Sequence, residues 1–172
     1  MLKPALVVNP KSRSDDRQIY IDGDLRITYF TSRLLRVEVG GFTDLASYAV
    51  WNRSFPAGDM KVTRNGRMYN IETEDIILTL KNKKPYCVCF KDNGQTELFS
   101  KQKNLKGTYR TLDNTFGKIP LEDGFITEKG LYLFDDSGSV LLDENGMFVP
   151  RKSLSKDYYI FAYGKDYRAT IS

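Results

Sequence analysis

Carboxylates are the side chains of this sequence best placed to do chemistry, because the chain contains no histidine. Without imidazole, Ser-His and Cys-His nucleophile pairs, histidine metal ligands and the commonest general base are all excluded within the chain. Acidic residues stand side by side at Asp15-Asp16, Glu74-Asp75, Glu122-Asp123 and Asp135-Asp136. Two carboxyl groups about 5 Å apart suffice for retaining cleavage of a glycosidic bond, one as nucleophile and one as acid. Adjacent residues on a strand point to opposite faces, however, and Asp135-Asp-Ser-Gly138 has the composition of a tight turn. The acidic pairs therefore read as turn and strand-edge charges in preference to catalytic dyads.

Other candidates also have a packing reading. Tyr158-Tyr-Ile-Phe-Ala-Tyr163 offers rings for sugar stacking. An alternating strand would set Tyr159, Phe161 and Tyr163 against Tyr158, Ile160 and Ala162, both faces apolar enough to be buried, so core packing is favoured. Trp51, the only tryptophan, reads as a packing anchor. Cys87 and Cys89 lie two apart in an apolar run, pointing the same way from a strand. Bridging them would distort that strand, and two thiols fall short of the four ligands of a structural zinc site, so both read as free buried thiols. The stretch from Gly107 to Asp123 is the most loop-like, and it collects Arg110, Asp113, Asn114 and Thr115 beside Phe116. Loops on β scaffolds often carry function. Two readings stay open here: a surface that hydrogen-bonds sugar hydroxyls, or a solvated connection with Arg110 and Asp113 paired to each other.

The elements that must position these groups are strands. Leu25-Arg-Ile-Thr-Tyr29 and Leu35-Arg-Val-Glu-Val39 alternate apolar and polar residues with period two, and Thr31-Ser-Arg33 can turn the chain between them. Met68 to Thr73, Asp75 to Lys81, Tyr86 to Lys91 and Leu131 to Phe134 continue the pattern with β-branched and aromatic residues. Asn65-Gly66 is a strong two-residue hairpin signal, and Asp92-Asn-Gly94, Asp135-Asp-Ser-Gly138 and Glu144-Asn-Gly146 mark further tips. Many short strands joined by such turns predict an all-β antiparallel sandwich, with only Lys165 to Ile171 able to begin a helix. A length of 172 residues suits one such domain, spanning 1–172 with an N-terminal extension over 1–18.

Composition narrows the partners. The net charge of +4 arises from 26 basic residues interspersed with 22 acidic ones, which implies no strong single-sign field and argues against nucleic acid. The apolar run near Met1 is too short and too interrupted for a signal peptide, and no stretch approaches the roughly 20 apolar residues of a membrane helix. A cytoplasmic protein without membrane contact is the expectation.

Three segments carry a family likeness. Asn104-Leu-Lys-Gly-Thr-Tyr-Arg-Thr-Leu-Asp113, Leu121-Glu-Asp-Gly-Phe-Ile-Thr-Glu-Lys-Gly-Leu-Tyr-Leu-Phe-Asp-Asp-Ser137 and Asp157-Tyr-Tyr-Ile-Phe-Ala-Tyr-Gly-Lys-Asp-Tyr167 resemble the N-terminal region of glycoside hydrolase family 31, the α-glucosidases and α-xylosidases. Asp24 to Glu38 is similar to the strand pair with which many members open. The family often has Trp where Leu131 stands and His where Lys165 stands.

The resemblance implies a galactose-mutarotase-like β-sandwich preceding a (β/α)8 barrel, which supplies an aspartate nucleophile and an aspartate acid/base in a retaining mechanism without metal. No βα repeat occurs in this sequence, so catalytic residues and cofactors are expected to be none, and residues 165–172 would begin the connection to the barrel. By the same resemblance the loop around Arg110, Asp113, Asn114 and Phe116 would reach over the barrel mouth and touch substrate at the leaving-group subsite. Expected partners are the barrel of the same polypeptide and an α-linked oligosaccharide. An isolated sandwich would leave its docking face open, so self-association is a further expectation. The competing reading is a stand-alone carbohydrate-binding or protein-interaction sandwich, because fold alone does not dictate function.

Overall fold

Residues 25–39 set the pattern of the molecule. The computed structural model describes residues 11–107, 113–143, 145–151 and 155–171. After a single 3-10 turn at Asp16–Gln18 come β1 (Ile19–Asp22), β2 (Leu25–Thr31) and β3 (Leu34–Val39), the last two joined by Ser32 and Arg33. A two-residue strand β4 (Ala46–Ser47) follows. Next is a meander: β5 (Lys61–Asn65), β6 (Met68–Glu72), β7 (Ile76–Lys81), β8 (Lys84–Phe90) and β9 (Thr96–Leu98). The chain ends with β10 (Leu131–Asp135), the short strands β11 (Leu141–Leu142) and β12 (Phe148–Val149), β13 (Lys156–Ala162) and one helical turn α1 (Tyr167–Ile171).

All strand pairs are antiparallel. One five-stranded sheet runs β1-β2-β3-β13-β10, a second runs β5-β6-β7-β8-β9, and a three-stranded sheet runs β12-β11-β4. The all-β sandwich expected from the alternation, with a short helix at its end, is therefore present. Its core lies between the five-stranded sheets, where Leu25, Ile27, Leu35, Val37 and Ile160 meet Ile71, Ile76, Leu78, Leu80 and Val88, all fully buried. Each such side chain contributes roughly 1.5–3 kcal/mol. Asp22 clamps the two sheets by accepting from Tyr69 Oη at 2.9 Å and Arg64 Nη1 at 2.8 Å.

Turn chemistry was partly legible. The β5–β6 loop is Gly66 and Arg67, one residue later than Asn65-Gly66, since Asn65 pairs with Met68 and Gly66 alone takes positive φ, +58°. At β7–β8 the loop is Asn82 and Lys83, with φ of 51° and 63°. Positive φ at both central positions is the type I′ hairpin requirement, for which asparagine is well suited and lysine is not. Lys83 is compensated by an ion pair to Asp24.

The polar face of β2, β3 and β13 is not solvated. Residues Leu25 to Phe30 are buried without exception, and so are Arg36, Glu38, Asp157 and Tyr159. The three-stranded sheet and the segment preceding β5 cover this face as a third layer: Phe55 stacks on Phe30 at 5.0 Å, and Arg53 donates to Tyr159 Oη at 2.7 Å. Within the expected extension 1–18, residues 11–18 lie against that segment, as Lys11 O accepts from Arg53 N at 2.7 Å and Gln18 Nε2 donates to Pro56 O at 2.9 Å. Among the described residues no helix is long and apolar enough to cross a membrane.

Candidate functional site

The loop flagged by its composition is the tip of an arm. Its two sides pair as isolated antiparallel bridges, Asn104 with Thr127 and Gly107 with Glu122. Gly107 and Glu122 exchange both backbone hydrogen bonds at 2.9 Å. Asn104 locks the base, its Nδ2 donating to Gly124 O at 2.7 Å while its Oδ1 accepts from Gly124 N at 3.1 Å and Lys106 N at 2.8 Å. Lys106 and Asp123 pair across the arm. Asp113, Asn114 and Phe116 all lie exposed at the tip, Phe116 by 95% and Asn114 with φ of 60°. Arg110 falls outside the described residues. The tip thus presents an aromatic ring and two hydrogen-bonding side chains to solvent.

The arm roots where the other two flagged segments meet. Thr127 Oγ1 accepts from Leu131 N and donates to Leu131 O, both at 3.0 Å. β10 pairs with β13 so that Leu131 faces Ala162, and just beyond this pair Gly164 N donates to Gly130 O at 3.1 Å. Both glycines have positive φ, and a Cβ on Gly130 would overlap the Gly164 carbonyl, so this approach demands glycine. Tyr167 Oη donates to Glu128 O at 3.2 Å, tying α1 to the arm's base.

A polar cleft of about 520 Å³ opens at this end, lined by Arg33, Asp92, Asn93, Gln95, Glu97, Lys129, Tyr163 and Lys165 among others. Its charges are largely matched: Lys129 lies 3.4 Å from Glu97, and Arg33 lies 3.2 Å from Asp75 and 3.9 Å from Asp92. The Arg33 hydrogen bond, helped by the Ser32 hydroxyl, holds the Asp75 carboxyl below the usual carboxylate range. Asp75, in the turn between β6 and β7, is thus an anion paired with the β2–β3 turn, not a free strand-edge charge.

A buried ionic layer on the outer face of the first sheet is the feature that sequence reasoning missed. Arg36 grips Asp157 with two bonds of 2.8 Å and contacts Glu38 at 3.0 Å. Arg26 holds Glu38 at 2.5 and 2.9 Å and reaches Asp44 at 2.8 Å. Arg151 bridges Asp136 and Asp157 at 3.0 Å each. Burial alone would push the Asp157 carboxyl up, but Arg36, Arg151 and Arg53 together bring it below its ordinary value. Burial pushes the Tyr159 phenol up to about 12. Asp135-Asp136 therefore divides. Asp135 caps the expected turn by accepting from Ser137 N at 3.0 Å, whereas Asp136 is a fully buried ion-pair member and not a solvated turn charge. The alternation of Arg26, Arg36, Glu38 and Asp157 opposite apolar partners was the available signal, yet it equally describes a solvent-facing strand.

Two other readings change. Trp51 is 39% exposed, its indole N–H donating to Tyr48 O at 3.0 Å, so it is a surface residue and not a core anchor. It neighbours an exposed apolar group, Tyr48, Val140, Met147 and Phe148, on and beside the three-stranded sheet. Cys87 and Cys89 are free but only half buried, because Val88 and Phe90 take the core face of β8. In the aromatic run Ile160 and Ala162 enter the core, while Phe161 packs with Phe125 at 6.0 Å and Tyr132 at 6.3 Å. Among the described residues no three His, Cys, Asp or Glu side chains are grouped to hold a metal ion.

No protein-family model and no curated protein matches this chain.

Proposed function

We propose that this chain is the N-terminal β-sandwich domain of a family 31 α-glycosidase, galactose-mutarotase-like in its architecture and not itself catalytic. In this reading it packs on a (β/α)8 barrel of the same polypeptide, which cleaves an α-glucosidic or α-xylosidic bond with retention. In the same reading the loop from Arg110 to Phe116 reaches the leaving-group subsite, where Phe116 stacks on a sugar ring and Arg110, Asp113 and Asn114 bond its hydroxyls. One observation carries the reading: the three resembling segments meet in one place, the first joining the second through Asn104–Thr127 and Gly107–Glu122, and the second joining the third through Gly130–Gly164 and Glu128–Tyr167.

The test is turnover of nitrophenyl α-glucoside and α-xyloside. The 172-residue chain is expected to be inert, and a longer polypeptide continuing through the barrel active. Robust hydrolysis by the short chain sinks the proposal. The full exposure of Phe116 also suits a stand-alone carbohydrate-binding sandwich. Calorimetric titration of the 172-residue chain with maltose or isomaltose separates the two, since only the stand-alone module needs measurable affinity without a barrel.

A further inference from the structure

Five apolar side chains stand together in solvent on and beside the three-stranded sheet: Tyr48, Trp51, Val140, Met147 and Phe148, between 39% and 67% exposed. Their mutual contacts make them one surface. The Tyr48 ring lies 6.1 Å from that of Phe148, Tyr48 N donates to Val140 O at 2.9 Å, and the Trp51 indole N–H donates to Tyr48 O at 3.0 Å. Met147 leads directly into β12. Single apolar residues on a surface are ordinary, whereas a contiguous group of aromatic and aliphatic side chains marks a place where something docks.

The direction of the neighbouring chain says what that is. Residues 11–18 run alongside the segment preceding β5 in the same sense: Lys11 O accepts from Arg53 N at 2.7 Å, Ser14 Oγ donates to Arg53 O at 2.8 Å, and Gln18 Nε2 donates to Pro56 O at 2.9 Å. Followed backwards, this run leaves Lys11 on the side of Asn52 and Trp51, toward the apolar group. The residues that come next in that direction are Asn9-Pro10 and then Ala5-Leu-Val-Val8, an unbroken apolar run outside the described residues. Proline biases the residue before it away from the helical region, and paired valines favour extended backbone. The stretch from Ala5 to Pro10 can span at most about 20 Å, at ~3.3 Å per extended residue. That length suffices to pass Trp51 and lie across the rings of Tyr48 and Phe148. A tethered segment also acts at an effective concentration in the millimolar range, so it outcompetes a second copy for the same surface.

We propose that Ala5 to Val8 dock on the surface of Tyr48, Trp51 and Phe148 within the same molecule. The segment is a strap: it covers apolar side chains that the three-stranded sheet leaves in water, and the sheet in turn covers Leu6, Val7 and Val8. Lys11, fixed to Arg53, is its anchor. The docking surface shares no residue with the arm, so the strap stands whether or not the arm serves a glycosidase.

Trp51 is the only tryptophan, so its fluorescence reads the cover directly. The full chain is compared with a double variant, Leu6→Ser with Val8→Ser. The variant is expected to emit at longer wavelength and to be quenched more readily by acrylamide, with an unchanged circular dichroism spectrum. Independently of any variant, the methyl groups of Leu6, Val7 or Val8 should give nuclear Overhauser contacts to the rings of Trp51, Tyr48 or Phe148 in the unaltered chain, at a protein concentration where it is monomeric. Should the variant fail to fold, those contacts decide the matter. Identical emission and quenching in the two proteins would overturn the strap, as would the absence of such contacts. Protection of Trp51 that grows with protein concentration and persists in the variant would also overturn it, by showing that a second copy is the occupant.

Discussion

Asp157 is the residue on which the outer half of the molecule turns. It is 1% exposed and answers two guanidiniums, Arg36 through both oxygens and Arg151 through one. Asp157→Asn keeps the shape but leaves both arginines short of an anion, and breaking a buried pair in this way costs about 3–5 kcal/mol. Chemical denaturation should therefore show a midpoint shift of that size with an unchanged slope. A change below about 1 kcal/mol would mean the layer is hydrated and its charges weakly coupled. Arg53 belongs to the same layer without a carboxylate of its own, and burial followed by the nearby Arg36 charge lowers its pKa. Phe116 is the opposite case, a large ring that the fold leaves in water.

At the scale of elements, the junction of β10 with β13 depends on two glycines that serve different needs. Both sit at positive φ, +67° at Gly130 and +60° at Gly164. A Cβ at Gly164 would meet only the Phe90 ring at 3.8 Å, an ordinary contact, whereas one at Gly130 would overlap the Gly164 backbone. Gly164→Ala should thus cost about 1–2 kcal/mol, the left-handed penalty of an ordinary residue. Gly130→Ala should cost distinctly more and also disturb the arm, because Gly130 N donates to Thr127 O at 3.0 Å. Thermal unfolding of the two variants checks the order; equal losses would show that only the dihedral matters. The turn of Asn82 and Lys83 illustrates the limit of local reading, since a lysine at φ 63° gives no warning in the sequence and is sustained by Asp24 from another hairpin.

At the scale of the whole molecule, the first sheet is buried on both faces by different physics. One face is the apolar core shared with the second sheet. The other is held by ion pairs whose central carboxyl, Asp157, has its pKa depressed in the folded state. A depressed carboxylate contributes stability that is fully present above its unfolded pKa of about 3.9 and is lost as pH falls through the lower folded value. Acidification below about pH 4 should therefore loosen the third layer first. Hydrogen exchange should show amides around Thr43 to Arg53 and Leu141 to Val149 losing protection while β2, β3 and β7 retain theirs. Simultaneous loss would show that the layers unfold as one cooperative unit.

The longer strands β2, β3, β6, β7, β8 and β10 and the all-β class were legible because period-two alternation and glycine or asparagine turns are local properties of the chain. Residues 107–123 were legible as a loop for the same reason, from their lack of alternation and their Gly and Pro content. What alternation could not say is whether the polar side of a strand meets water or a second layer. Arg36 and Asp157 are 121 positions apart, so their pairing exists only once β13 lies beside β3. Asp136 and Asp135 are neighbours with one turn composition, yet one is fully buried and the other exposed, because Arg151 arrives from beyond β12. The sequence by itself determined the all-β class and the longer strands around which the sheets form. Only the tertiary structure decided that charges placed opposite the core would be enclosed, since burial of a charge is set by the partners that long-range contacts bring to it.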